Sequence, residues 1–158
     1  MIVVLVGPPG VGKSTYAGLI SEVLGLEHFS SGAVFRRELK IDPLFREKVS
    51  HYLKAGELIP DAIADPFLFG KFRDQILLDG YPRTGNQVIT LCKWAKDSEI
   101  ELPLFIRLDA EYGELKRRLD DRRICDTCGA NWQEGHSCGG SPTKREDDST
   151  ACIQARLE

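Results

Sequence analysis

No run of the 158-residue chain exceeds six consecutive apolar residues at its start, Met1 to Val6, and that run lacks a basic flank and passes straight into glycines. It is too short for a membrane span and has the wrong flanks for a signal peptide, so a cytoplasmic protein without membrane attachment is expected. There is no low-complexity tract and no repeat period, which excludes fibrous and solenoid architectures. Nor is there an excess of positive charge. With 28% charged residues, 42% hydrophobic residues and a net charge of −3, the composition is that of a globular domain and gives no support for general nucleic-acid binding. The length suits one domain with at most a small insertion. Disulfides are not expected either. The five cysteines are an odd number, and Cys125, Cys128 and Cys138 crowd into fourteen residues beside His136, a pattern that in a reducing compartment points to metal.

What is present is an alternation of strand and helix signals. MIVVLV is a β-branched run of the kind buried on both faces of a parallel sheet. From Lys13, the residues Tyr16, Ala17, Ile20, Val23 and Leu24 recur at helical spacing up to a stop at Gly25. Glu27 to Ser30 reads as a strand. Ser31 is expected to cap a helix with Val34, Phe35 and Leu39, and Pro43 to open another with Phe45, Val49, Tyr52 and Leu53 before a break at Gly56. Asp65 to Phe72 reads as a short helix, 75–79 as a buried strand, Val88 to Ala95 as a helix, 103–108 as a strand, and Tyr112 to Leu119 as a helix. This order predicts an α/β fold with crossover connections. Arg123 to Asp148 breaks the rhythm, being rich in Cys, Gly and polar residues, and reads as an insertion with its own stabilisation. Cys92 and Cys152 fall on helical patterns and are expected as small core residues.

Residues 7–14, Gly-Pro-Pro-Gly-Val-Gly-Lys-Ser, match G-x-x-x-x-G-K-[ST] between a predicted strand and a predicted helix. Such a loop turns successive N–H groups, including those of Gly10 and Gly12, and a helix N-terminus toward a polyphosphate. Lys13 would reach the β- and γ-phosphates, and a hydroxyl of Ser14 or Thr15 would serve Mg²⁺. The loop by itself leaves GTPases, ATPases and many kinases open. Asp79, ending a buried strand beside the loop, can hold water on Mg²⁺, and Arg83 can clamp a phosphate.

Leu77-Leu78-Asp79-Gly80-Tyr81-Pro82-Arg83 closely resembles the LDG-[FY]-PR signature of adenylate kinases, and the likeness extends over nearly the whole chain. It implies a P-loop NTPase-type parallel sheet sandwiched by helices, with a core over 1–29, 62–122 and 149–158, a helical NMP-binding flap over 30–61 and a zinc-bearing lid over 123–148. Ser30-Ser31-Gly32-Ala33-Val34-Phe35-Arg36 resembles the flap's S-[ST]-G-D-x-x-R segment, with Ala33 in place of the usual Asp. The resemblance implies that Ser31 contacts the AMP and Arg36 its phosphate, that Leu58, Ile59 and Gly80 lie about the nucleotide, and that Gln87 reads the adenine edge. UMP/CMP kinases tend toward an asparagine-containing pattern there, so Gln87 favours AMP.

Arg118 and Arg122, four apart, are expected to project from one polar face of their helix. They resemble the family pair before the lid, Arg118 also offering a stacking surface to the ATP base. Lys144-Arg145-Glu146-Asp147-Asp148 and Ala155-Arg156-Leu157-Glu158 resemble the R-x-D-D and R-x-R-L-E segments, which implies that Arg145 and Arg156 also act on phosphates. Positioning and electrostatics suffice for phosphoryl transfer, so the lack of an obvious nucleophile or general base is no obstacle.

Arg123-Ile124-Cys125-Asp126-Thr127-Cys128-Gly129 resembles the start of the zinc lid of a subset of adenylate kinases. The second half is compressed to Gly135-His136-Ser137-Cys138, so the set Cys125, Cys128, His136 and Cys138 is expected to hold a structural zinc. A redox C-x-x-C is disfavoured because the motif does not open a helix after a buried strand. Family members usually continue beyond the match to Arg156-Leu157-Glu158 with a further strand and helix. The expectation is therefore a monomeric ATP:AMP phosphotransferase; a UMP/CMP-type kinase, a catalytically weak nucleotide-binding module and a zinc-dependent interaction domain are the alternatives.

Overall fold

A computed structural model describes every residue except Gly56, Gln133, Glu134, Glu146, Asp147 and Glu158. The expected break at Gly56, the central acidic residues of the segment after Arg145, and the last residue of the Arg156 segment lie outside the described residues.

Four parallel strands form the central sheet: β1 (Ile2–Val6), β2 (Glu27–Ser30), β3 (Ile76–Asp79) and β4 (Leu104–Arg107), in the order β2-β3-β1-β4. The side-chain period of two accounts for the unbroken apolar runs. Ile2, Val4, Ile76 and Leu78 face one core with Phe29, Phe72 and Leu91, while Val3, Leu5 and Leu77 face a second with Ala17 and Leu26. Each of these buried aliphatic side chains contributes on the order of 1.5–3 kcal/mol. Because β1 pairs with both β3 and β4, the phosphate loop that follows Val6 emerges at the carboxyl end of a central strand, next to Asp79. That is where open α/β sheets place ligands.

Helix α1 (Lys13–Leu24) ends on Gly25 in the left-handed conformation, its N–H donating to the Ser21 carbonyl. Only part of the face that the spacing suggested turns inward: Ala17 is buried and Ile20 packs against the second core. Ala17 and Ser21 are buried against the sheet, whereas Tyr16, Val23 and Leu24 are exposed, Val23 to 82%. Small residues let the helix axis approach the strands closely, which turns the larger side chains outward. Helix α2 (Ser31–Ile41) is capped by Ser30, one residue before the expected cap. The Ser30 hydroxyl accepts from the Ala33 N–H at 3.4 Å, which frees Ser31 to turn inward. Helix α3 (Pro43–Ala55) opens with proline, as expected, with Asp42 Oδ1 accepting from the Leu44 and Phe45 N–H groups at 2.9 and 3.1 Å.

Helix α4 (Asp61–Phe69) starts four residues before the predicted Asp65 and encloses Pro66. The Pro60 carbonyl already accepts from Ile63 and Ala64 at 2.9 Å each, so the first turn is formed before the proline removes a donor. The stacked rings of Phe35, Phe45 and Phe67 join α2 and α3 to α4, the closest centroids 4.6 Å apart. Helix α5 (Gly85–Asp97) is capped by Thr84, and helix α6 (Tyr112–Asp121) buries Leu115 and Leu119. A two-stranded antiparallel sheet, β5 (Ile124–Cys125) and β6 (Pro142–Thr143), precedes helix α7 (Thr150–Leu157). Cys152 is buried on α7, but Cys92 on α5 is only half-buried. Among the described residues, no helix is long and apolar enough to cross a membrane.

Candidate active site

Gly12 caps α1 in a left-handed conformation, so the loop from Gly7 curls around the helix N-terminus. Gly10, at φ 83°, admits no side chain: a Cβ there would lie 2.9 Å from the Leu115 carbonyl oxygen and 3.0 Å from Leu119 Cγ. The loop is thus seated against α6. Lys13 Nζ donates to the Gly7 and Pro8 carbonyls at 2.8 Å each. Burial lowers its pKa to about 8; Asp79 opposes the shift, and the positive charges of Arg83, Arg122 and Arg156 add to it. Three of the expected arginines therefore act on the same ammonium. Ser14 Oγ donates to Asp79 Oδ2 at 2.6 Å, while Thr15 is exposed, its N–H bonded to the Gly12 carbonyl at 3.0 Å.

Asp79 is 4% exposed at the end of β3. Burial pushes its carboxyl up, but the nearby His28 imidazole, the hydrogen bond from Ser14 and the charge of Lys13 outweigh that and hold it below the usual carboxylate value. His28 Nε2 stands 3.6 Å from Oδ2. His28 escaped the sequence reading, although the pairing of β2 with β3, which sets Ser30 beside Asp79, brings it there. The Ser14–Asp79 pair offers hard oxygen donors of the kind Mg²⁺ takes.

Gly80 follows at φ 82°, and a Cβ there would lie 2.8 Å from Ser31 Oγ and 3.1 Å from Arg83 Nη2. Ser31, 2% exposed, donates to the Asp79 carbonyl at 3.3 Å, and Arg83 Nε donates to the Gly80 carbonyl at 2.7 Å. Ser31, Gly80 and Arg83 are thereby brought together, and the Arg36 guanidinium folds back over Gly32, where a Cβ would meet Nη1 at 3.1 Å. Ile59 is buried in the larger core at 7% exposure, whereas Leu58 is 46% exposed. Gln87 is 4% exposed, and its amide is engaged within the chain: Nε2 donates to Asp61 Oδ1 and Oε1 accepts from the Arg83 N–H, both at 2.7 Å. Tyr81 donates to Asp65 Oδ1 at 3.0 Å, and burial together with that carboxylate raises its phenol pKa.

Arg118 and Arg122 do not share a helix face. Arg122 is the C-cap of α6, with extended backbone, and its guanidinium forms a two-pronged pair with Asp148, Nε to Oδ2 at 2.7 Å and Nη2 to Oδ1. Arg118 stays on the helix and donates to Glu114 at 2.6 Å, and hydrogen bonds from Arg117 and Arg118 pull that carboxyl down to about 2. Arg156 Nη1 lies 3.5 Å from Asp148 Oδ1, so one fully buried carboxylate serves two arginines on different segments. The Arg145 carbonyl accepts from the Asp148 N–H at 3.1 Å, which ties Arg145 to the residue that holds the other two arginines. Sequence reasoning gave no role to Asp148 and Asp61, whose partners Arg122 and Gln87 each lie 26 positions away.

In the insertion, the donor atoms of Cys125, Cys128, His136 and Cys138 all lie within 4.8 Å of one another. Cys125 Sγ is 3.1 Å from Cys138 Sγ, and His136 Nε2 is 3.1 Å from Cys138 Sγ and 3.2 Å from Cys128 Sγ. The Cys128 N–H directed at Cys125 Sγ at 3.5 Å holds the Cys125 thiol down at about 6. Three sulfurs and one imidazole nitrogen converging in this way fit a tetrahedral zinc, whose ligands would be these four residues. The knuckle is braced by β5 pairing with β6 and by Asp126, whose N–H donates to the Ser141 carbonyl at 3.0 Å.

The sequence matches the family model for adenylate kinase over residues 5–158. It is 36% identical to an adenylate kinase of Pyrococcus abyssi, over all of this chain and 78% of that protein. Identity is 38% with an adenylate kinase of Methanocella arvoryzae, over 98% of this chain and 79% of the relative, and 34% with one of Acidothermus cellulolyticus, over all of this chain and 80% of the relative. A phosphate loop on a parallel sheet, with a carboxylate and arginines gathered about its lysine, is the arrangement that MgATP-dependent phosphoryl transfer requires. This chain belongs to the adenylate kinase family, the nucleoside monophosphate kinases that transfer a phosphoryl group between ATP and AMP.

Proposed function

We propose that this chain catalyses the reversible conversion of MgATP and AMP to two ADP, with phosphates held between the loop at Gly7–Ser14 and arginines from the rest of the molecule. The supporting observation is the gathering of Lys13, Arg83, Arg122 and Arg156 from four separate stretches around one point, with Asp79 and Ser14 beside it. Charge developing on the transferred group would meet preorganised positive charge there. Lys13 and the N–H groups about Gly10 and Gly12 bind the donor phosphates, and Ser14, Thr15 and Asp79 orient the Mg²⁺ and its waters. Mg²⁺ supplies charge neutralisation across the donor phosphates. Arg36 and Arg83 hold the acceptor phosphate, and Ser31, Gly80, Leu58 and Ile59 line the acceptor nucleoside, with Gln87 against the adenine edge. Arg118, Arg122, Arg145 and Arg156 complete the phosphate clamp, Arg118 being able to exchange Glu114 for the donor base.

Residues 30–61 act as the acceptor flap and 123–148 as a zinc-stapled lid on a core formed by 1–29, 62–122 and 149–158. The protein works as a cytoplasmic monomer, where a reducing environment keeps the four-ligand knuckle competent for zinc. A coupled ADP-formation assay with AMP, CMP, UMP and GMP in turn tests the reading. Turnover selective for AMP, lost by at least about 10²-fold in Lys13→Ala and in Arg83→Ala with the fold kept, is expected. Near-normal turnover in either variant, or equal use of the pyrimidine monophosphates, refutes it.

A further inference from the structure

The Gln87 amide is held at both ends by partners that are chemically one-sided. Asp61 Oδ1, 2.7 Å from Nε2, can only accept, and the Arg83 backbone N–H, 2.7 Å from Oε1, can only donate. The two ends of an amide are nearly alike in shape, but here the identity of the partners dictates which is oxygen and which is nitrogen. Asp61 is itself fixed. It is the first residue of α4, and its other oxygen, Oδ2, accepts from Thr84 Oγ1 at 2.8 Å, the same hydroxyl that caps α5 by accepting from the Gln87 N–H at 3.1 Å. The carboxylate at the end of the flap over 30–61 thus sets the sense of the amide on the first turn of α5.

After these bonds the amide keeps one N–H and one oxygen lone pair. That pair complements a 6-aminopurine, which offers an acceptor at N1 and a donor at its exocyclic amine. A 6-oxopurine offers the reverse, a donor at N1 and an acceptor at O6. A glutamine free to rotate about its last bond would serve either edge, whereas one pinned by an acceptor and a donor cannot turn without losing both bonds and facing like groups with like. We propose that Asp61 is a specificity-determining positioning residue: by fixing the sense of the Gln87 amide it makes the site accept adenosine monophosphate and reject 6-oxopurine monophosphates. This inference rests on the reading of Gln87 as the contact to the acceptor base.

The test is kcat/KM for AMP and for inosine monophosphate at saturating MgATP in the parent, Asp61→Asn and Gln87→Ala. Asp61→Asn keeps the side-chain shape but presents a group that donates as well as accepts, so position 61 no longer dictates the sense of the amide and reversal forfeits only the bond from the Arg83 N–H. The expected result is a fall of at least about tenfold in the AMP-to-IMP ratio, with kcat/KM for IMP rising in absolute terms. A merely structural role would lower both substrates together and leave the ratio unchanged. Should Asp61→Asn fail to fold, Asp61→Ser, whose hydroxyl also donates and accepts, is expected to move the ratio in the same direction. A parent that prefers AMP, with the preference lost in Gln87→Ala but retained in the Asp61 variants, overturns the inference while the base-contact reading stands. A parent without preference, or a Gln87→Ala variant that keeps it, overturns both.

Discussion

Donor binding should weaken as pH rises above about 8, because the Lys13 ammonium, proposed to meet the donor phosphates, is held well below the ordinary lysine value of 10.5. The cause is burial of Lys13 among carbonyls and arginines, with only Asp79 opposing. The sign follows from which form the fold disfavours. The charged form is penalised in the folded chain, so the cost is fully present below about 8 and disappears as pH climbs toward 10.5. The gap corresponds to at most about 3 kcal/mol of stability withheld near neutral pH, and an anionic ligand would recover it. If MgATP binds only the charged form, its Kd scales as one plus the ratio of neutral to charged lysine. At pH 9 about nine-tenths of Lys13 is neutral in the free enzyme, so Kd should rise about tenfold over its value at pH 7, or about 1.4 kcal/mol. Titration calorimetry at pH 7, 8, 9 and 9.5 in two buffers of different ionisation enthalpy measures both Kd and the proton taken up on binding. Lys13→Arg, whose guanidinium stays charged throughout, should bind with an affinity independent of pH, whatever its absolute value. A flat profile in the parent, or an equal slope in Lys13→Arg, refutes the reasoning.

Two further outcomes follow from the lid side of the molecule. Asp148→Ala removes the buried acceptor shared by Arg122 and Arg156, whose side chains are only 19% and 18% exposed, and should cost about 3–5 kcal/mol in urea unfolding; a loss under about 1 kcal/mol would show that the clamp carries no stability. The purified protein should contain one zinc per chain, and chelation should lower its melting temperature, because the knuckle has little apolar core beyond its ligands; a metal ratio far below one, with Cys125→Ser as stable as the parent, would dismiss the site.

The features that the sequence made legible are those fixed by short-range backbone chemistry. Gly7 to Ser14 must form a phosphate loop because its glycines and lysine fall between a strand and a helix, and Gly80 must be glycine because Ser31 and Arg83 crowd its α-carbon. The knuckle was legible for the same reason, since all four ligands lie within one short hairpin. What stayed hidden depends on how distant segments meet. The outward turn of Val23 and Leu24 is decided by how closely α1 approaches the sheet, which no helical period encodes. The pairing of His28 with Asp79 requires the register of β2 on β3.

The arginines are the sharpest case, because a motif names the partner a cation serves in the reaction and says nothing of the one it holds within the chain. Arg122 was expected among the phosphate-facing cations from its position before the insertion, yet its side chain reaches Asp148, 26 positions along the chain, and Arg118, assigned the same helix face, is turned to Glu114 on its own helix. The carbonyls of Gly7 and Pro8 do the same for Lys13. Each of these acceptors would have to yield or be shared when a phosphate engages the cation, and they differ in strength. A buried bidentate carboxylate holds far more tightly than an exposed Glu114 or a pair of carbonyls. Arg122 should therefore act with Asp148 still attached, as a fixed element of the site, while Lys13 and Arg118 exchange partners freely. It is this ranking, set by burial and by contacts remote in sequence, that separates the rigid part of the phosphate site from the adaptable part.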